Sequence, residues 1–461
     1  MKLLISSNHL DSQTQLNIIS DECSKDRALI NPIKTEALLL NLQPIQLMYN
    51  DEEVPISDSP KHLGLNLNPK AVTSEAAISK SRKTIYALMG AEVHGKNGIN
   101  PTVSRRIWER YNVPRSSHGL DIQIFNKVEI EKLQNHENQF MQQFQTLPSF
   151  APTILAHILI GGRPITNLIH RKMLGLLMNI RRKNGIEAQI GRRQLAMKKP
   201  SSQSWFWRVN KIANLYGLPN ALDVMEELPW DKETWKNTVK KAVAESQLHQ
   251  WKTKLSSLSS LNMINPDAIT YGNPHPVWLS AGYSCHTVKM AISKVRFLTD
   301  TLMTGVKLHT MFQTNPTCAC GYPWEDRYHL LLDCELYKDL RTYCTKMIIG
   351  SIQCNHPNIS TGTITDRTVL IHLILDPTWY RSDIGSSFKI MANVLSAEEA
   401  NFIETIGRTF CFKIYKRRFQ YLSRNDPSDS DDETTTCYSF IITITHAYAA
   451  IVSAFTTPQI Q

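Results

Sequence analysis

Apolar and polar positions along this chain change their period once, near residue 72. Between residues 8 and 27, Leu10, Leu16, Ile18, Ile19 and Cys23 recur among polar neighbours at spacings that predict an amphipathic helix. The run from Ala28 to Leu40 then reads as a strand. Pro44–Val54 and His62–Leu67 read as two further short strands, with Asp58, Ser59 and Pro60 turning the chain between them. From Val72 onward the pattern is helical for nearly the whole remainder, and the first helix carries Ile78, Ile85, Leu88 and Met89 on one face. Gly161-Gly162 marks a turn between helices. The Ser-rich run 255–261, followed by Asn, Pro and Gly up to Pro276, reads as a hinge. Val288–Leu308 returns to helix, and a long helix is expected from about Ser396 to Leu422. Beyond it, Asn425–Glu433 is a polar acidic run with the composition of a flexible linker. The apolar stretch from Phe440 to Phe455 falls short of the roughly 20 residues a membrane-spanning helix requires and carries His446 at its centre, so membrane contact is not expected. The fold class expected from this pattern is mainly α with a small α+β N-terminal part.

Composition adds a size and a compartment. A chain of 461 residues with 42% apolar content has room for about two to four domains with real cores. Its nine cysteines are an odd number and mostly scattered, which argues for reduced thiols and an intracellular home, nucleus or cytoplasm. Polar residues at Asn8, His9 and Asp11 interrupt the apolar start before a signal sequence forms.

Charge changes the picture more. The net charge is +10, yet the window from Arg163 to Lys211 holds twelve basic residues against Glu187 alone, a local excess of +11. Arg163, Arg171, Lys172, Arg181, Arg182, Arg192, Arg193, Lys198, Lys199 and Arg208 are its candidate contacts to a polyanion, because each neutralised phosphate releases counterions. Trp205 and Trp207 lie inside the window and offer either stacking faces for unpaired bases or a buried pair between amphipathic helices. A second basic patch, Lys413, Lys416, Arg417 and Arg418, falls on the last helix.

The most specific chemistry lies in the stretch CACGYPWEDRYHLLLDC, residues 318–334. Cys318, Cys320, His329 and Cys334 are spaced C-x-C-x8-H-x4-C, a Cys3His set of the kind that holds structural Zn2+ at tetrahedral corners. Gly321 suits the tight turn of such a knuckle, and HLLLDC reads as a helical turn that points His329 and Cys334 inward together. The first pair is C-x-C where C-x2-C is commoner. The alternative is two small buried cysteines beside an unrelated core histidine. Cys344, Cys354 and His356 trail the box, either as added ligands of a rearranged site or, the more expected reading, as ordinary core or surface residues. The sequence holds no Gly-x4-Gly-Lys loop and no Gly-x-Gly-x-x-Gly, and adjacent Cys285-His286 lacks a third partner for nucleophilic chemistry.

The motifs in order resemble a known family. AsnProIleLysThrGlu (Asn31–Glu36), SerProLysHisLeuGlyLeu (Ser59–Leu65) and a following basic helix resemble the C-terminal part of the reverse transcriptase of non-LTR (LINE-type) retrotransposons. ValProArgSerSerHisGlyLeuAsp (Val113–Asp121) is similar to that family's thumb segment. PheGlnThrLeuPro (Phe144–Pro148) and LeuIleGlyGlyArgPro (Leu159–Pro164) are similar to the helical region behind it. The Cys318 box with Tyr337 and Arg341 is similar to its zinc-binding module. The resemblance covers about residues 1–345. It implies that 1–70 is a remnant of the palm and primer-grip hairpin, with Lys34 among the nucleic-acid contacts, and that 71–255 is the helical thumb and basic helical region. Residues 256–345 would be linker and zinc-binding module, 346–424 a C-terminal helical region, and 425–461 an acidic linker and apolar tail.

The resemblance also implies what chemistry is missing. Nucleotidyl transfer by these polymerases needs paired carboxylates that hold two Mg2+ ions about 4 Å apart. In the family they lie in a Tyr-x-Asp-Asp hairpin upstream of the Asn-Pro-x-Lys-Thr-Glu strand, and Met1–Ser6 is similar to the strand just after that hairpin. The first Asp-Asp pair in this chain is Asp431-Asp432, inside the acidic run, while Asp51, Glu52 and Glu53 read as a solvated hairpin tip. The expectation is therefore a nucleic-acid-binding fragment that takes RNA or an RNA–DNA hybrid, is not a polymerase alone, and meets Mg2+ only if a palm is supplied elsewhere, by the missing upstream part of the polyprotein. Two alternatives stand beside it: part of an active RNA-directed DNA polymerase whose palm is clipped from this chain, and the product of a decayed element.

Overall fold

The computed structural model describes residues 8–28, 31, 35–38, 46–49, 52–57, 61–62, 65–66, 73–197, 204–226, 230–384, 391 and 394–424. Among these the protein is mainly helical, as the pattern predicts, and its strands form two antiparallel hairpins. Met48–Tyr49 pairs with Glu52–Glu53, and Lys61–His62 with Leu65–Asn66. Pro44–Val54 and His62–Leu67 are thus not the single strands expected. Turn-forming residue types, Asn50-Asp51 and Gly64, fall where each run would have to stay extended. Of the strand expected at 28–40, Ala37 makes a bridge to Ile56. Lys34, Lys198, Lys199, the Asp58–Pro60 turn and everything from Asn425 onward lie outside the described residues.

The first helix, His9–Lys25, starts where Asn8 accepts a capping hydrogen bond from the Asp11 amide at 2.8 Å. Its Leu16 packs with Tyr49 and Val54 in a small separate core. The Gln13 amide fixes the hairpin beside it, donating to the Met48 carbonyl at 2.7 Å and accepting from the Met48 N–H at 2.9 Å.

The chain forms two compact units, each assembled from separated segments. One comprises Met1–Ala91, Ile107–Glu137 and Pro164–Val243. Its main core is organised on the helix Ile165–Lys183, where Ile165, Ile169, Met173 and Leu177 recur every fourth residue and are buried with Leu174 and Met178. The helix stops at Asn184, which takes the left-handed conformation (φ 47°) that ends many helices. The helices Trp205–Leu215 and Ala221–Glu226 close on it with Val209, Ala213, Val224 and Met225. Trp235 fills the centre, 1% exposed, and its indole N–H donates to the Leu174 carbonyl at 2.9 Å. Truncating such a side chain to alanine costs about 3–5 kcal/mol.

The other unit comprises Glu92–Arg106, Asn138–Arg163 and Ala244–Gln461. Its centre is the helix Ala397–Arg424, which packs against Cys285–Leu298, Lys338–Asn355 and Arg367–Leu375. Gly407 permits this approach, since a Cβ there would collide with the Ile374 carbonyl oxygen. A buried ion pair, Lys294 Nζ to Glu404 Oε2 at 2.7 Å, joins two of these helices. Two expectations are corrected here. Val288–Leu308 is not one helix: Cys285–Leu298 ends, Asp300 turns at φ 51°, and Gly305–Phe312 begins afresh under a cap from the Thr304 hydroxyl. Threonine hydroxyls compete with the helical ladder at this point, and Thr299 Oγ1 donates to the Val295 carbonyl at 2.7 Å. The run 255–276 is not a loose hinge either. Leu261, Ile264 and Asn265 are buried, and Asn265 donates its backbone N–H to Asp376 Oδ2 at 2.8 Å and its side-chain amide to the Thr378 carbonyl at 3.0 Å.

Candidate metal centre and basic surface

The cysteine box folds as a loop followed by one wide turn. Glu325 N–H donates to the Pro316 carbonyl (2.9 Å) and Cys318 N–H to the Tyr322 carbonyl (2.8 Å), so residues 316–325 close on themselves. Gly321 makes the reversal at φ 89°, donating back to the Cys318 carbonyl at 2.9 Å; a side chain there would be strained. His329–Asp333 is a π-helical turn, in which the Cys334 N–H reaches the His329 carbonyl at 2.7 Å. That five-residue step brings His329 and Cys334 to one side, which fulfils the expectation that both face inward.

The result is convergence of all four donors. Sγ of Cys318, Cys320 and Cys334 and a ring nitrogen of His329 lie within 4.8 Å of one another. Cys318 Sγ is 3.8 Å from Cys334 Sγ, and Cys320 Sγ is 3.3 Å from His329 Nε2. A tetrahedral ion with bonds of about 2.3 Å to sulfur and about 2.0 Å to nitrogen has edges of about 3.8 and 3.5 Å, close to these two distances, and the widest separation in the set, up to 4.8 Å, would have to draw in by about 1 Å. A disulfide needs about 2.05 Å, and these cysteines are free thiols. The hydrogen bond to Cys334, and then burial, push the Cys318 thiol up, while the same bond holds the Cys334 thiol below its usual range. The two sulfurs thus shift in opposite directions through one shared hydrogen bond, and a divalent cation held between them would favour ionisation of both. Burial lowers the His329 pKa, keeping its imidazole neutral and competent to bind metal. Four protein donors would leave a bound ion no open coordination position, so a metal held here would be of the structural kind.

The surroundings hold the loop in place. Tyr322 stacks on the His329 ring, centroids 4.5 Å apart and planes 7° from parallel. Glu325, 3% exposed, accepts at Oε1 from Gly305 N–H (2.9 Å) and Arg418 Nε (3.0 Å), with Arg418 Nη2 on the same oxygen at 2.5 Å. Arg341 donates to the Cys334 carbonyl at 3.1 Å, and Arg367 makes a two-pronged pair with Asp333, 2.6 Å on each arm. Neither Glu325 nor Arg418 stands out in the sequence, because the partners are 93 residues apart. Cys344 and Cys354 are not in the cluster, and His356 instead meets Glu399 Oε1 at 3.2 Å.

The basic window divides when placed in the fold. Arg163 belongs to the second unit, while Arg171, Lys172, Arg181, Arg182, Arg192, Arg193 and Arg208 belong to the first. Arg182 and Arg193 are exposed, as are Lys183 and Lys211. Arg163 is exposed as well; Arg171, Lys172, Arg181, Arg192 and Arg208 are half-buried, and several hold the fold together. Lys172 Nζ donates to Ser117 Oγ (2.8 Å) and the Ser117 carbonyl (3.2 Å), Arg181 to the Trp230 carbonyl (3.4 Å), and Arg192 to Asn184 Oδ1 (2.8 Å) and the Met225 carbonyl (3.4 Å). Trp205 and Trp207 are half-buried too, their indole N–H groups donating to the Asp121 carbonyl (2.8 Å) and the Gln194 carbonyl (3.0 Å). Trp205 also meets Phe206 edge-on at 5.1 Å. These contacts tie both indoles to backbone carbonyls while leaving each ring half-buried. The second patch is corrected: Arg417 pairs with Asp339 at 2.6 and 2.9 Å and Arg418 with Glu325, leaving Lys413 and Lys416 exposed. No protein-family model, curated protein or solved structure matches the chain.

Proposed function

We propose that the chain is a nucleic-acid-binding protein built on the thumb, helical region and zinc-bearing part of a non-LTR reverse transcriptase, and that Cys318, Cys320, His329 and Cys334 hold a structural Zn2+ in it. The observation that carries the metal reading is the convergence of a Cys3His donor set within 4.8 Å, with Cys318–Cys334 at 3.8 Å and Cys320–His329 at 3.3 Å. Thiolates select zinc over hard cations such as Mg2+. Nucleic-acid binding is supported by the exposed cations Arg182, Lys183, Arg193 and Lys211, which lie on three helices that pack on one another, Ile165–Lys183, Ile186–Ala196 and Trp205–Leu215. The family reading rests on the order of the sequence motifs. On this reading the chain grips RNA or an RNA–DNA hybrid and leaves nucleotidyl transfer to a palm that it does not itself supply.

The test is the salt dependence of RNA binding by the full chain and by a variant with Arg182, Lys183, Arg193 and Lys211 changed to glutamine. Each phosphate contact to a single strand contributes about 0.7 to the slope of log K against log salt. The slope is expected to fall by up to about 3, and an unchanged slope refutes the assignment.

A further inference from the structure

A groove of about 590 Å³ opens in the first unit between the end of one helix and the start of another, lined by Arg181, Arg182, Trp230, Asp231, Lys232 and Glu233. Its size falls in the range of about 300–1,000 Å³ typical of ligand sites. Arg181 and Arg182 come from the last turn of Ile165–Lys183, and Lys232 and Glu233 from the first turn of Lys232–Ser256. Trp230 is half-buried, and its floor is firm: it packs on the main core and lies 6.1 Å from Trp235. Arg181 donates to the Trp230 carbonyl at 3.4 Å and so ties the wall to the floor.

The charges in the groove are not equivalent. Asp231 caps the helix through the Thr234 N–H at 2.8 Å and is close enough to Arg182 to feel its charge, while Glu233 meets Lys236 Nζ at 3.2 Å, so a phosphate on Arg182 would compete with Asp231. Arg182 and Lys232 are exposed at the rim. An indole in a groove with guanidinium and ammonium groups at its edge offers what one unpaired nucleotide needs: an aromatic face for the base and cations for the phosphate. A duplex cannot use it, because its bases are stacked on one another.

We infer that this groove seats one unpaired nucleotide of single-stranded RNA, its base on Trp230 and its phosphate on Arg182 and Lys232. The inference rests on the nucleic-acid-binding reading above and adds to it a preference for unpaired strands and the residue that confers it. Trp205 and Trp207, inside the most basic stretch of the sequence, are anchored in packing; the aromatic residue that lines an open basic groove is Trp230.

The experiment compares the full chain with Trp230→Leu, Trp230→Phe and the double variant R182A/K232A. The ligands are a 12-nucleotide single-stranded RNA and an RNA duplex of equal length, and binding is read by fluorescence anisotropy. One base stack is worth about 1–3 kcal/mol, so Trp230→Leu is expected to weaken single-strand binding by about 5- to 150-fold while leaving duplex binding unchanged. Trp230→Phe, which keeps a ring, should restore most of the affinity. R182A/K232A alters exposed residues only and should weaken the single strand more than the duplex, which keeps the test open if Trp230→Leu fails to fold. Normal RNA binding by the parent chain, with single-strand affinity unmoved in the folded variants or with both ligands weakened equally, overturns the groove and spares the broader reading. A parent chain that binds neither ligand overturns both.

Discussion

The most demanding test of the unit that carries the cysteine box is the isosteric change Glu325→Gln. Glu325 and Arg418 are a nearly dry pair, with side-chain exposures of 5% and 10%, and Arg418 Nη2 also donates to the Met303 carbonyl at 2.9 Å. Glutamine keeps an oxygen for the Gly305 N–H but removes the charge, which leaves a buried guanidinium without its counter-ion. Breaking one side of a buried pair costs about 3–5 kcal/mol. Replacing both partners, as E325L/R418M, removes the stranded charge and leaves chiefly the orphaned Gly305 N–H, a cost of about 1–3 kcal/mol. The double variant is therefore expected to be more stable than Glu325→Gln alone. Urea unfolding followed by far-ultraviolet circular dichroism gives the three free energies, and zinc content measured on each variant reports whether the loop still closes. If Glu325→Gln unfolds within about 1 kcal/mol of the parent, or the double variant is the worse of the two, the pair does not hold the loop as described.

Two other predictions follow from the same contacts. Protein purified with zinc should carry one equivalent, with X-ray absorption showing three sulfurs at about 2.3 Å and one nitrogen at about 2.0 Å; chelation should unfold residues 316–334, and full protease resistance of that loop after metal removal would argue against the site. Glu137 is fully buried, and burial, helped by the charge of Glu109, raises its pKa from 4.5 to about 8, against opposing hydrogen bonds from the Ile165 N–H at 2.7 Å and Gln134 at 3.1 Å. The folded state therefore keeps a proton that the unfolded chain releases near 4.5, so stability falls as pH rises from there to about 8, by up to about 1.4 kcal/mol per pH unit, and levels off above. Glu137→Gln should flatten that part of the profile in urea titrations run at a series of pH values; a slope identical to the parent's would show that Glu137 is ionised in the fold.

What could be read from the sequence was what depends on near neighbours. The cysteine box was legible because all its donors fall within a short stretch and its turn is made by Gly321, in the same stretch. Helix positions were legible where apolar residues repeat every third or fourth place, as in Ile165–Lys183. The break at Thr299 was not, because Val295, Phe297, Leu298 and Leu302 continue the apolar spacing through it; the hydroxyls of Thr299, Thr301 and Thr304 were the available signal. The short strands were read too long: within Pro44–Val54 the reading of Asp51–Glu53 as a hairpin tip was the better guide, since Met48–Tyr49 pairs back on Glu52–Glu53. The assembly of each unit from separated segments had no local sign, and neither did the partnership of Glu325 with Arg418. Which tryptophan of the basic region lines a groove depends on what folds over each one, and Trp205 and Trp207 gave no hint of the carbonyls that anchor them.

The cations of this protein separate by what they touch, and that separation bears on its net charge. In the second unit Lys294 is held by Glu404, Arg418 by Glu325, Arg417 by Asp339 and Arg367 by Asp333. Arg105 is held by the Gly161 carbonyl and Arg327 by the Ser260 carbonyl, at 3.2 Å for the latter. Lys294, Arg418, Arg105 and Arg327 are buried and their charge is committed to the fold, whereas Arg367 and Arg417 are paired at the surface, where a polyanion would compete with a carboxylate. In the first unit Arg182, Lys183, Arg193 and Lys211 reach solvent. Even there the nearby helices bring exposed Asp223, Glu226, Asp231 and Glu233, so the local field is weaker than the +11 of the linear window indicates. An affinity for nucleic acid that rests on four exposed cations should be modest and steeply salt-dependent, and selectivity must then come from groups other than charge. A groove with one aromatic floor and two rim cations is such a group, because it distinguishes an unpaired base from a paired one at equal charge.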